Sequence, residues 1–207
     1  MSLNLRESIA ALRIEIIEIA VEVQLMYVDA TRMFLSLTTT GAQAVADKRA
    51  EIEQRTTHFE ESCNKVLALH QPVAKDLRLI LTYFKLASDL ERLGSLAARI
   101  GKKAVRIPEV SSISIIKSFN SQVEKVEWML DNCITMIKKP NVELAAKINN
   151  INAELKSGKN EFRENLETQI IESKEQAKVL INTLGVNRHL VRIADLTADI
   201  ANDFAGF

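Results

Sequence analysis

The chain has 207 residues, and its six glycines and three prolines compare with about 25 of the two together at average usage. That scarcity of turn formers argues against an all-β sandwich or barrel, and a hydrophobic content of 47% argues against disorder. Lys+Arg and Asp+Glu both number 27, so there is no global basic field to recruit nucleic acid.

Helical periodicity dominates the chain. In the first segment apolar residues fall at Leu5, Ile9, Leu12, Ile16, Ile19, Val23, Met26, Ala30, Met33 and Leu37. Steps of four and three alternate without a break, which is a narrow coiled-coil-type stripe on one long helix. Thr38-Thr39-Thr40-Gly41 interrupts it. A second stripe reads Val45, Ile52, Thr56, Phe59, Cys63 and Val66 and ends at Gln71-Pro72. A third helix is predicted to start near Pro72, whose missing N–H costs nothing in a first turn, and to run to about Ala104. The connector Arg106-Ile107-Pro108 follows. The fourth stripe is Ile116, Phe119, Val123, Val126, Leu130, Cys133 and Ile137, stopped by Pro140. The fifth is Leu144, Ile148, Ile151, Leu155 and Phe162. After a weak break near Ser173, the last helix carries Val186, Leu190, Ile193, Thr197, Ile200 and Phe204 on one face. Helices of about 30 residues are roughly 45 Å long, and short loops make neighbours antiparallel.

The second half echoes the first. Leu90-Glu-Arg-Leu-Gly-Ser-Leu-Ala-Ala-Arg-Ile100 aligns with Leu190-Val-Arg-Ile-Ala-Asp-Leu-Thr-Ala-Asp-Ile200, with Leu90/Leu190, Arg92/Arg192, Leu96/Leu196, Ala98/Ala198 and Ile100/Ile200 identical. Upstream, Ala42, Val45, Ile52 and Phe59 match Ala145, Ile148, Leu155 and Phe162 at a slightly larger offset. The expected architecture is all-α: two tandem three-helix bundles, residues 1–107 and 108–207. The period is too long for a tetratricopeptide or HEAT array. A site found in one half is to be sought in the other.

Few residues offer chemistry. Cys63 and Cys133 lie on apolar stripes, outside any CxxC pair, and read as packed core thiols. His58, His70 and His189 form neither Glu-x-x-His nor His-Glu-x-x-His and read as surface or loop histidines. There is no nucleophile elbow and no glycine-rich phosphate loop. No apolar run approaches the ~20 residues of a membrane span. The N-terminus lacks a secretory pattern, so the expected setting is the cytoplasm. One segment is more specific: Gln71-Pro-Val-Ala-Lys-Asp-Leu-Arg78, then Ala87-Ser-Asp-Leu-Glu-Arg-Leu-Gly94. Glu91 falls two heptads after Leu77, in line with an apolar face. An acid there needs an ion-pair partner such as Arg78 or Arg92, or a ligand, because a bare buried charge is too costly.

Pro-x-Ala-x-Asp-Leu-Arg followed by Leu-Glu-Arg-x-Gly, on a duplicated three-helix unit, resembles the PhoU family across nearly the whole chain. The motif residues are Pro72, Asp76, Arg78, Glu91 and Arg92, with Arg192 and Asp195 in the second repeat. The resemblance implies a cytoplasmic, non-enzymatic helical protein that often self-associates. It implies a regulator that damps the phosphate-starvation response, placed between a phosphate ABC transporter, through its ATPase, and a sensor histidine kinase. No catalytic residue and no cofactor are expected.

The family also carries acid-x-x-x-acid pairs on the second and third helix of each repeat, and here the sequence departs from it. Acids at i and i+4 share a helix face, so two facing helices offer four carboxylates to a cation. In the first repeat the corresponding positions are Arg49 and Glu53, then Glu91 and Ser95; in the second they are Asn152 and Lys156, then Val191 and Asp195. Only Glu53, Glu91 and Asp195 remain acidic. Arg49 and Lys156 bring positive charge to the place of a cation, and Arg49 is positioned to pair with Glu53 or Glu91. Loss of multinuclear metal binding is therefore expected, with at most a weak single ion near Glu91.

The alternative reading is an accessory subunit of another ion or solute transporter, since PhoU-like domains also accompany potassium and sodium–phosphate systems. A purely structural or metal-dependent bundle is the blander third reading. Surplus apolar surface, where it exists, would make a homodimer the default assembly.

Overall fold

A computed structural model describes residues 3–105, 113–172 and 177–207, and the described residues form six helices and no strand. They are α1 (Leu3–Leu35), α2 (Ala42–His70), α3 (Ala74–Ala104), α4 (Ile113–Lys138), α5 (Val142–Glu172) and α6 (Ala177–Ala205). The predicted connector at 106–108, the boundary between 107 and 108, and the break near Ser173 lie outside the described residues.

Helices α1–α3 make one three-helix unit and α4–α6 the other. The units meet through α1 against α4 and α3 against α6, while α2 and α5 touch only helices of their own unit. This layout explains how wide each apolar face is. The outer helix α2 buries a single stripe, Val45, Ile52, Thr56, Phe59 and Cys63. The inner helix α1 buries its predicted stripe from Leu5 to Met33 and also Ala20, Tyr27, Thr31 and Phe34, because it packs on α2, α3 and α4. The narrow stripe read from the sequence is thus a broad face, the form that burial on several sides demands. Helix α6 is broader still, with buried residues from Val179 to Phe204. Its buried hydroxyls bond back to their own helix: Thr183 Oγ1 donates to Val179 O at 2.9 Å and Thr197 Oγ1 to Ile193 O at 2.8 Å.

One core cluster runs through both units. Phe34 meets Phe119 edge-on across the junction at 5.7 Å between centroids, and Tyr83 meets Phe204 at 6.1 Å. The buried Tyr27 hydroxyl donates to Val123 O at 2.9 Å, and Gln24 donates to Asp131 at 2.7 Å. Cys63 and Cys133 are both buried in this core as expected.

Two helix ends differ from the prediction. The first helix stops at Leu35, and Leu37, with φ 53°, sits in the turn beyond it. The third begins at Ala74 and not at Pro72. Gln71 ends α2 in the left-handed region (φ 44°), its N–H bonded to Leu67 O at 3.1 Å. Pro72 then lies buried in the connector, where a residue without an N–H follows a helix stop naturally.

Candidate functional site

Arg49, Glu53 and Ser95 come together where α2 packs on α3, and Glu91 precedes Ser95 by one turn of α3. Gly94 and Gly101 set that approach: a Cβ at Gly94 would meet Ile52 Cγ2 at 3.5 Å, and one at Gly101 would meet Val45 Cγ1 at 3.3 Å. Arg49 lies beside Glu53, its Nη2 3.1 Å from Glu53 Oε2, and Arg49 Nε donates to Ser95 Oγ at 3.3 Å. The guanidinium therefore bridges the two helices through residues that replace acids. Side chains of Arg49 and Glu53 are 43% and 50% exposed, so the pair stabilises the fold by about 0–1 kcal/mol. Glu91 is half-buried at the same junction.

The second repeat builds the equivalent junction differently. Lys156 Nζ on α5 sits 2.5 Å from Asp195 Oδ1 on α6. Asn152 is 8% exposed and its Oδ1 has no hydrogen-bond partner. Val191, also buried, takes the position of Glu91. Asp195 is 25% exposed against 54% for Lys156, so the acid end of this pair is better shielded than either member of the first.

Neither junction suits a multinuclear metal centre. Arg49 and Lys156 place cationic nitrogens on the surviving carboxylates, and no group of three or more His, Cys, Asp or Glu able to hold a metal ion occurs among the described residues. Asn152 Oδ1 is a free oxygen donor, but one amide beside a valine does not make a cation site.

The motif residues are not brought together as expected. Leu77 is exposed, so Glu91 does not continue a buried face. Arg92 pairs with Asp89, Nη1 to Oδ1 at 3.6 Å, and not with Glu91. Arg78 is exposed and stacks over the Phe207 ring at 4.9 Å, which ties the start of α3 to the C-terminus. Asp76 lies in the first turn of α3, where a carboxylate faces the positive end of the helix dipole. Of this group, Pro72 is buried and Glu91 and Asp195 are partly so, while Arg78, Arg92 and Arg192 are exposed.

Other groups escaped the sequence reading. Asp89 is the buried acid of α3, at 5% exposure, and burial raises its pKa against the pull of Lys85 and Arg92. Its hydrophobic neighbours Ala87 and Leu90 were the available signal. Arg55 of α2 bridges Glu22 and Glu18 of α1, and Lys48 joins Glu22 at 3.3 Å. Of the histidines, His58 is exposed, but His189 is half-buried on α6 and not a loop residue. Burial, then Arg99, Lys103 and Arg188, push its pKa down. Burial likewise raises both thiols to about 12, which leaves them unreactive.

Comparison with known proteins is consistent with this architecture. The family model described as PhoU domain matches twice, at residues 16–104 and 120–204. A phosphate-specific transport system accessory protein PhoU homolog from Pseudomonas aeruginosa is 28% identical over 178 residues, 84% of this chain and 72% of the relative. One from Deinococcus radiodurans is 23% identical over 151 residues, 73% of this chain and 71% of the relative. The crystal structure of PhoU from Pseudomonas aeruginosa superposes with a TM-score of 0.91 at 23% identity, covering 96% of each chain.

Proposed function

The chain belongs to the PhoU domain family, and from that premise we propose that it is a regulator of phosphate uptake and phosphate-starvation signalling. It acts without catalysis, as a cytoplasmic adaptor between the ATPase of a phosphate transporter and a sensor kinase. The observation that carries this reading is the double match of the family model, supported by relatives named as accessory proteins of the phosphate-specific transport system. The geometry is compatible with it: long helices present broad faces, and no described helix is long and apolar enough to cross a membrane.

The regulator works without the multinuclear metal centre of its family. Charged side chains of the protein replace it, with Arg49 bridging to Glu53 and Ser95 in one repeat and Lys156 on Asp195 in the other. Elemental analysis of desalted protein after incubation with iron or zinc tests this. Less than one tightly held metal per chain is expected, and two or more would overturn it.

The functional test is deletion of the gene in its host, with alkaline phosphatase or another starvation reporter measured in plentiful phosphate. Derepression reversed by the intact gene is the expected result. An unchanged reporter with normal phosphate uptake would reject the phosphate role and favour a different transporter's accessory subunit.

A further inference from the structure

Helices α3 and α6 run antiparallel across the junction of the two units, and the groove between them is charged unevenly. Where α3 begins and α6 ends, the charges balance. Lys85 Nζ meets Asp203 Oδ2 at 2.6 Å, Arg92 lies beside Asp89, and Asp199 adds to the field on Lys85. The internal repeat supplies a counterpart for every one of these positions at the other end of the groove. At the offset that aligns Leu90 with Leu190, Asp89 becomes His189, while Asp199 and Asp203 correspond to Arg99 and Lys103. All three acids of one end are thus nitrogen bases at the other. Arg192 repeats Arg92, and Arg188 stands where the first repeat has Ser88.

Arg99, Lys103 and Arg188 all bear on His189, Arg192 follows Arg188 by one turn of α6, and none of the four has an acid partner among the described residues. A glycine leaves room for the lysine there. Gly185 takes the place of Lys85 in the repeat, and a Cβ on it would lie 3.0 Å from Lys103 Cε and 3.1 Å from its Nζ. The lysine stem thus crosses α6 at the one point where α6 has no side chain. His189 lies half-buried in the same field, next to cations that disfavour its own charge. Uncompensated like charges on a folded surface destabilise it unless an anion answers them.

We infer that this stretch of the α3–α6 groove is a docking surface for a carboxylate-rich segment of a protein partner. Length supports that occupant. From Lys103 back to Leu96, beside Arg192, is seven residues, about 10 Å along the axis. Carboxylates two turns apart on a helix, seven residues along, span the same distance. Exposed guanidiniums on a shallow groove bind a lone small anion poorly through water, so several contacts must form at once. Charge pattern speaks against nucleic acid or a membrane. The basic stretch gives way to the charge-balanced end that holds Asp199 and Asp203, so a continuous polyanion lying along the groove gains no attraction there. The inference deepens the adaptor reading by naming a surface, and its test uses no phosphate reporter, so each can fail alone.

The probe is a fluorescent twenty-residue helical peptide with glutamates spaced three and four apart, titrated into the full chain and followed by anisotropy. Binding is expected to weaken as salt rises. It is expected to fall at least tenfold in R188E/R192E and to change less than twofold in K138E/K139E, which carries the same charge change at the exposed end of α4. Helical circular dichroism and melting point check that both variants fold, and R188Q/R192Q, expected to lose about half as many log units, serves if the reversal does not. Absence of binding, or equal loss in the two reversals, overturns the inference. So does tighter binding, lost in the same variant, to vesicles of phosphatidylglycerol.

Discussion

The two helix junctions that carry the family's acidic positions descend from one repeated unit and have been rebuilt in different ways. In the α2–α3 junction an arginine reaches an acid four residues along its own helix and a serine across the gap. In the α5–α6 junction a lysine crosses directly to an acid that is three-quarters shielded from water, beside a buried amide. The ion pair of the first lies within one helix and is exposed, so it holds little energy. The second joins two helices and shields its acid, so more depends on it. A common ancestry fixes where the polar positions fall, and burial decides what each is worth.

The largest change should come from restoring acids. Arg49→Glu with Ser95→Asp in the first junction gathers four carboxylates where one guanidinium now sits. Bound iron or manganese, read by elemental analysis and calorimetry, should rise from negligible to at least one ion per chain. Micromolar affinity would correspond to about 8 kcal/mol. If the variant folds and binds nothing, four carboxylates at this junction do not suffice to hold a metal ion.

Breaking the pairs should separate the junctions. Lys156→Met leaves Asp195 shielded without its cation and should cost about 1–3 kcal/mol in urea denaturation at pH 7. Arg49→Met should cost no more than about 1 kcal/mol. Equal losses at the two sites would contradict the ranking by burial.

Asp89 calibrates that ranking, because its arginine is exposed and 3.6 Å away. Burial raises its pKa, so its ionised form is less favourable in the folded state than in the unfolded chain. Stability contributed by the neutral form is therefore present at low pH and lost as pH rises through the raised pKa. Asp89→Asn should accordingly raise the melting temperature slightly at pH 7, and the difference should close by about pH 4, where the unfolded carboxyl also takes up its proton. A destabilised variant at pH 7 would mean that Lys85 and Arg92 outweigh desolvation.

The smallest expected signal is chemical. Cys63 and Cys133 should both resist iodoacetamide at pH 8 in the native chain and react together on unfolding, since burial holds both thiols near 12. Reaction of one alone would show that one unit opens before the other.

Much of the architecture is legible in the sequence because long helices with a four-three apolar rhythm leave one solution to burial. The six elements, the repeat and the core cysteines all follow from spacing along a single helix or from the repeat itself, and of the two acids offered to Arg49, Glu53 and Glu91, the structure pairs it with Glu53. Periodicity does not say how many neighbours a helix has. The stripe from Leu5 looks like a coiled-coil edge, and only packing on three helices turns it into a face that includes Tyr27 and Phe34. It does not say which partner a charge takes either. Arg92 turns to Asp89, Arg78 to Phe207, and Lys103 to the bare backbone at Gly185, contacts set by the rotation of each helix and by residues up to a hundred or more positions away. The sequence by itself determined the central stripe that each helix buries, because amphipathic periodicity is a local property. Tertiary structure alone decided where charges balance and where they are left unanswered, because Coulomb energy depends on distance in space and on access to water.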